Sequence, residues 1–307
     1  MAKTGLHIVP DGFSADGGWY TDSWSPDRVL WSVRVEAILR DEQTAFQHLK
    51  VVDTPSHGRV MVLDGAVQVA SRDEASYHEL IVHPGLCRPA LAGRDDLRVL
   101  IIGGGDGGAA REALRHPGVA QVQLVDIDPG VTRAARELFP TVWRLPHGEG
   151  SLDLDPRLEV FHEDGVAFLE GGGEGYDLIV VDSTDPVGPG AVLYSDRFYG
   201  LIRDRLRPGG ACAVQGGSWW YLPEVLRLAH GGLRRALGRA EAYQCWTDVY
   251  PGGLWNLVLA TQGDDPREVD LARAGALEGC AWYDAEVHRA AFALPPNARA
   301  VLAETRA

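Results

Sequence analysis

The sequence predicts an α/β protein, a doubly wound parallel sheet preceded by a small antiparallel β unit. Three features predict it. Apolar runs ending in Gly or Asp alternate with helix-like stretches over most of the chain. A glycine-rich turn follows the first of these runs. The segment from Trp19 to about Ala70 has a different texture, with short Val- and Leu-rich runs cut by turn residues.

Taken in order, "WSVRVEAILRD", "AFQHLKVVDT" and "GRVMVLDGAVQVA" are strands punctuated by Pro-Ser-His-Gly and Asp-Gly turns. This β unit is assigned to residues 1–72 and the doubly wound domain to residues 73–307. "DEASYHELIVHPGL" reads as a helix. "LRVLIIGGG", "VQLVDID", "RLEVFHEDG", "YDLIVVDS" and "ACAVQGG" follow as strands whose near-continuous apolar character marks burial on both faces. "GEGSLDLDP" and "EGGGEGYD" are Gly-rich connections, and Pro295-Pro296 breaks the last helical stretch.

A chain of 307 residues, 45% hydrophobic, can bury a full core. Its formal charge of −14, from 29 basic and 43 acidic residues, argues against nucleic acid or anionic membrane as a partner and allows a cationic one, although by itself an acidic excess more often serves solubility. Cys87, Cys212, Cys245 and Cys280 are widely spaced without a C-x-x-C pair, so neither a zinc site nor a disulfide framework is expected. The N-terminal stretch lacks an apolar signal core, and no run of about 18 apolar residues occurs. A soluble cytoplasmic protein is the expectation.

In an open parallel sheet, ligands bind beyond the carboxyl ends of the strands, near the switch in strand order. Gly103, Gly105 and Gly108 at the end of the first strand satisfy G-x-G-x-x-G. Asp106 lies among them, where a phosphate would be repelled. Asp126 ends the second strand, at a fitting distance for a carboxylate that accepts from ribose hydroxyls. Asp164 and Gly165 follow the third, and Asp182 and Asp185 the fourth. Any one of these acids alone is more commonly a helix cap or turn carboxylate. Together they make a strongly negative cleft, which calls for a positive ligand. A phosphate-free nucleoside with a sulfonium centre and an amine meets that description, whereas NAD and ATP do not.

These residues, with "GGWYTD", "AFQHLKVVDT", "GRVMVLDGAVQ", "RDEASYHELIVHPGL", "VLIIGGGDGGAAREALRHPGV", "YDLIVVDSTDPVGPG", "QGGSWW", "YPGGLWNLVLAT" and "YDAEVHRAAFALP", resemble the polyamine aminopropyltransferases, the spermidine synthase family. The resemblance runs from about Trp19 to about Leu302. It implies a Rossmann-like sheet of the S-adenosylmethionine-dependent methyltransferase type. It also implies transfer of the aminopropyl group of decarboxylated S-adenosylmethionine to putrescine, leaving spermidine and methylthioadenosine. By the same resemblance Asp182 is the catalytic aspartate, and Asp106 pairs with the donor amine. Gln47, Gly103, Gly105, Asp126, Asp164, Gly165 and Pro189 complete the donor site, Asp126 standing where the family usually has Glu. Tyr77, His78, Asp185 and Tyr250 resemble polyamine-channel residues, which Asp106 and Asp182 join.

The chemistry fits these roles. A primary amine is protonated at neutral pH, and removing its proton costs on the order of 4 kcal/mol before it can attack. A base is needed beside it, which Asp182 supplies while Tyr77 and Asp185 orient the nitrogen. The leaving group is a neutral thioether, so no metal, oxyanion hole or tightly bound cofactor is expected. The far ammonium of a diamine needs an acid, for which Glu79 and Glu224 are candidates, and Trp219 and Trp220 either wall the channel or, more commonly for such residues, pack in the core or as a lid. The alternative is a diamine N-methyltransferase using ordinary S-adenosylmethionine, but an acid at 106 disfavours that donor's carboxylate. Agmatine, cadaverine, 1,3-diaminopropane and spermidine are alternative acceptors. The resemblance further implies a homodimer, with a tetramer as the alternative.

Overall fold

The structure, a computed structural model, describes residues 18–22, 31–186, 188–250 and 252–303, with side chains at all of these except 188 and 189. The N-terminal unit contains a two-stranded ribbon, β1 (Trp19–Thr21) with β2 (Ser32–Arg34), and a four-stranded antiparallel sheet. That sheet runs β3 (Ala37–Gln43), β4 (His48–Thr54), β5 (Gly58–Leu63), β6 (Ala66–Ala70), in spatial order β3-β4-β5-β6. Leu63 pairs with Ala66 across Asp64 and Gly65, which both have positive φ, at 47° and 84°. This is the conformation a two-residue hairpin demands and Asp-Gly tolerates.

Alternation sorts the strand residues between two cores. Leu49, Val51, Met61 and Leu63 join the main core, to which α1 (Glu74–Leu86) also contributes. Val52, Val60 and Val62 face the other way and pack with Tyr20, Val33 and Val249. Helix α1 is buried at every position from Ser76 to Leu86, which explains its lack of a polar stripe.

The main sheet has seven strands in the order β12-β13-β11-β10-β7-β8-β9. Five are the predicted parallel strands: β7 (Leu97–Gly103), β8 (Val119–Val125), β9 (Leu158–Phe161), β10 (Tyr176–Asp182) and β11 (Leu206–Gly217). Val99 and Ile101 enter one core layer and Leu100 and Ile102 the other, so helices cover both faces. The crossover helices are α2 (Gly108–Leu114), α3 (Pro129–Leu138), α4 (Gly165–Glu170) and α5 (Asp196–Arg205).

Beyond the five expected strands, α6 (Pro223–Leu237) leads to β12 (Arg239–Trp246) and β13 (Leu254–Thr261), and β13 inserts antiparallel between β11 and β12. β13 is buried along nearly its whole length, a pattern that periodicity alone does not separate from a buried helix. The chain ends with α7 (Leu271–Gly275), α8 (Ala285–Ala291) and α9 (Pro296–Ala303), so Pro295-Pro296 separates two helices as expected. The order places the switch between β7 and β10. Among the described residues no helix is long and apolar enough to cross a membrane.

Candidate active site

At the switch, Gly103 at the end of β7 lies opposite Asp182 at the end of β10. The strands are locked together here, since the Gly104 N–H donates to the Asp182 carbonyl at 2.8 Å. A Cβ on Gly103 would stand 2.1 Å from that carbonyl oxygen, and its φ of +79° disfavours a side chain as well. The turn then enters α2 at Gly108, where a Cβ would lie 2.1 Å from His78 Nδ1. Gly103 and Gly108 thus serve the close approach of a strand and a helix.

Helix α1 delivers the facing side chains. Tyr77 donates its hydroxyl to Asp182 Oδ1 at 2.8 Å. Asp182 Oδ2 is buried and has no hydrogen-bond partner. Burial, with the nearby Asp106 charge, raises the Asp182 carboxyl to about 6. Burial also works against the charge on Asp106. The His78 imidazole at 3.3 Å and the Gly108 N–H at 2.7 Å nevertheless hold that carboxyl below its ordinary value. The Tyr77 ring meets Tyr250 edge to face at 5.7 Å, and the Tyr250 hydroxyl donates to the Gln68 carbonyl at 2.6 Å.

Asp126 at the end of β8 faces the same turn, its Oδ2 accepting from the Gly105 N–H at 2.9 Å. Burial first, then neighbouring Asp128 and Asp106, raise its carboxyl to about 6. Asp128 caps α3 and also accepts from Gln47 Nε2 at 2.9 Å and the Thr44 hydroxyl at 2.8 Å. Gln47 thereby ties the β unit to the start of α3 beside the end of β8. Asp185 accepts from Gln215 Nε2 at 3.1 Å, and Gln215 is fixed in turn by Tyr194, Gly217 and Trp255.

The structure brings Tyr77, His78, Asp106, Asp182 and Tyr250 into one cluster, with Gln47, Gly105 and Asp126 beside it. Asp164 is exposed and caps α4 by accepting from the Ala167 N–H at 2.9 Å, leaving Gly165 as the first residue of that helix. The Pro189 side chain lies outside the described residues.

Glu79 does not fit the role of distal anchor. It is 2% exposed, and its two oxygens accept from the backbone N–H groups of Ala281, Trp282 and Tyr283 at 2.6–2.9 Å. Its carboxylate secures the loop before α8. Glu224 is exposed in the first turn of α6. Trp219 packs against the second core layer, whereas its edge-to-face neighbour Trp220 is 64% exposed. Residues that sequence reasoning passed over are Glu74, Gln68, Asp128 and Gln215. All four lie inside quoted segments, and Asp128-Pro129 is a helix-start signal.

Among the described residues, two groups bring possible metal ligands within 4.8 Å of one another: His78, Asp106 and Asp182, and Glu79, His83 and Cys280. In the first, both imidazole nitrogens face carboxylates, so the ring offers protons rather than a lone pair. In the second, Glu79 is engaged by backbone N–H groups. All four cysteines are free thiols. The site can hold a cation, align it against Asp182 and accept a proton there.

Residues 74–271 match the family model described as the spermine/spermidine synthase domain, and residues 18–71 match the spermidine synthase tetramerisation domain. The polyamine aminopropyltransferase of Alkalilimnicola ehrlichii is 38% identical over 296 residues, 94% of this chain and 99% of that protein. That of Thermoanaerobacter sp. (strain X514) is 34% identical over 277 residues, 90% and 95% of the two chains. A crystal structure of spermidine synthase in complex with the transition state analogue AdoDATO superposes with a TM-score of 0.86 at 28% identity. That likeness covers 94% of this chain and 95% of that one.

Proposed function

The chain belongs to the spermidine synthase family and is a polyamine aminopropyltransferase, and we propose that it transfers the aminopropyl group of decarboxylated S-adenosylmethionine to putrescine. Spermidine and methylthioadenosine are the products. The observation that carries this reading is the unpartnered, buried Asp182 Oδ2 beside a tyrosine-held Oδ1, with Asp106 close by.

In this mechanism the primary ammonium of putrescine sits against Asp182, Tyr77 and Asp185 and gives a proton to the Asp182 carboxylate, directly or through water. The freed lone pair attacks the propyl carbon bound to sulfur. A C–N bond forms, the C–S bond breaks, and its electron pair neutralises the sulfonium. Rate comes largely from in-line alignment of nitrogen, carbon and sulfur and from the base at hand. Asp106 receives the donor's amine, and Asp126 with Gln47 and Asp128 receives the ribose. Gly103 and Gly105 give the nucleoside its backbone approach. Asp164, Gly165 and Pro189 flank the adenine, and Tyr250 with His78 completes the amine side. Asp126 reaches less far than a Glu would, and its hydrogen bond to the Gly105 N–H supports a seat close to the turn.

The protein is further assigned to the cytoplasm, with its units divided at residue 72, and to a homo-oligomer, a dimer or a tetramer. Incubating purified protein with each donor and a mixture of diamines, followed by mass spectrometry, tests the activity. Spermidine from decarboxylated S-adenosylmethionine and putrescine is the expected product. Methylated putrescine from ordinary S-adenosylmethionine would overturn the reading.

A further inference from the structure

We propose that Glu74 is a positioning residue that fixes His78 as a buried imidazolium, and that this cation holds the Asp106 carboxylate in place for the donor amine. The second half rests on the aminopropyl-transfer reading; the first stands on geometry alone. His78 Nδ1 lies 2.6 Å from Glu74 Oε2, and Nε2 lies 3.3 Å from Asp106 Oδ1. A neutral imidazole has one N–H and one lone pair, so one of these contacts would set a lone pair against a carboxylate. Only the doubly protonated ring donates to both.

Glu74 is not free to turn away. Its two oxygens accept from Arg111 Nη1 at 3.0 Å and Nη2 at 2.7 Å, a two-point grip on a carboxylate that is itself mostly buried. Arg111 in turn donates to Glu112 at 2.6 Å, and Glu112 accepts from Arg115. Charges therefore alternate in sign along the contact between α1 and α2: Asp106, His78, Glu74, Arg111, Glu112, Arg115. Each buried charge has opposite neighbours, the condition under which such a chain is tolerated.

The groups facing His78 are Glu74 on its own helix, Asp106 from the turn before α2 and Asp182 from β10. The Tyr77 ring stands at 5.6 Å, and Arg111 acts through Glu74. Three carboxylates outweigh one guanidinium. Burial opposes the charge on His78, yet Asp106 and Glu74 keep the ring well above its ordinary value. His78 is then no general base in this site, and Asp182 is left as the proton acceptor.

The test is a histidine-selective NMR titration of the full-length protein between about pH 5.5 and pH 9, the range in which an ordinary imidazole titrates fully. The His78 resonance, identified by its loss in His78→Gln, is expected to stay that of a charged ring throughout. In Glu74→Gln its midpoint should fall into the titration window. kcat/KM for the donor should then drop about fivefold or more from about pH 6.5 to about pH 8.5 relative to the unmodified enzyme. Glu74→Asp should restore the profile in part. A His78 midpoint near 6.5 in the unmodified protein overturns the proposal, as does a Glu74→Gln profile parallel to that of the unmodified enzyme. The NMR result requires no turnover, so a chain that fails to transfer aminopropyl groups still answers whether Glu74 fixes the charge on His78.

Discussion

Asp182 is held in a state that suits the role of base proposed for it and that costs stability. Its carboxyl, raised to about 6 by burial and by Asp106, keeps in the folded chain a proton that the unfolded chain loses near 3.8. Between about pH 4 and pH 6 the folded state therefore binds more protons than the unfolded one, and stability falls as pH rises through that window. A shift of this size corresponds to about 3 kcal/mol, which partial exposure of the side chain reduces. Asp182→Asn keeps an acceptor for Tyr77 and removes the charge, so its melting temperature at pH 7 should rise while the difference vanishes near pH 4. Its turnover should fall by about 10²–10⁴-fold with methylthioadenosine affinity nearly unchanged. Full activity in this variant would remove Asp182 from the role of base. In the unmodified enzyme, kcat/KM should decline below about pH 6 as this carboxyl protonates.

Helix α1 shows how one element assigns different tasks to neighbouring residues. Glu74 and His78 are four apart and share a face, Tyr77 reaches Asp182, and Glu79 points across to the loop at 281–283. Sequence reasoning found the motif but could not tell that Glu79 faces a distant loop and not the site, because its partners lie some 200 residues further on. The adjoining glycine turn makes a sharp prediction. Gly108→Ala would put a methyl group 2.1 Å from His78 Nδ1, between two packed helices. We expect a loss of about 1–3 kcal/mol in stability by thermal melting and a raised KM for the donor, since Asp106 must move with the turn. A second element depends on Asp73, whose Oδ2 accepts from the Thr247 hydroxyl at 3.2 Å and the Val249 N–H at 3.1 Å. This grip sets the segment that carries Tyr250.

Over the whole molecule, the negative field is gathered at one place because the strand order is reversed between β7 and β10. Acids dispersed over some eighty residues of sequence converge at adjoining strand ends. A cationic nucleoside should relieve their mutual repulsion, so decarboxylated S-adenosylmethionine should raise the melting temperature in a concentration-dependent way. NADH and ATP should not, because their phosphates face Asp106. The N-terminal unit leaves Trp19 at 59%, Ile38 at 45% and Phe46 at 47% exposed, apolar surface that an oligomer would cover. Light scattering at micromolar concentration should give a mass above that of one chain.

The five parallel strands, the Asp-Gly hairpin and the acids at the strand ends were legible in the sequence because each is a local pattern. Alternation, turn chemistry and strand-end position are written in neighbouring residues. The last two strands were not, since β13 is buried on both faces and only its pairing with β11 and β12 identifies it. Nor did the sequence decide between Glu79 and Glu224, or reveal that Gln47 docks on Asp128. Those outcomes depend on which distant backbone groups and charges meet a carboxylate once the chain is folded, and only the tertiary structure decides that.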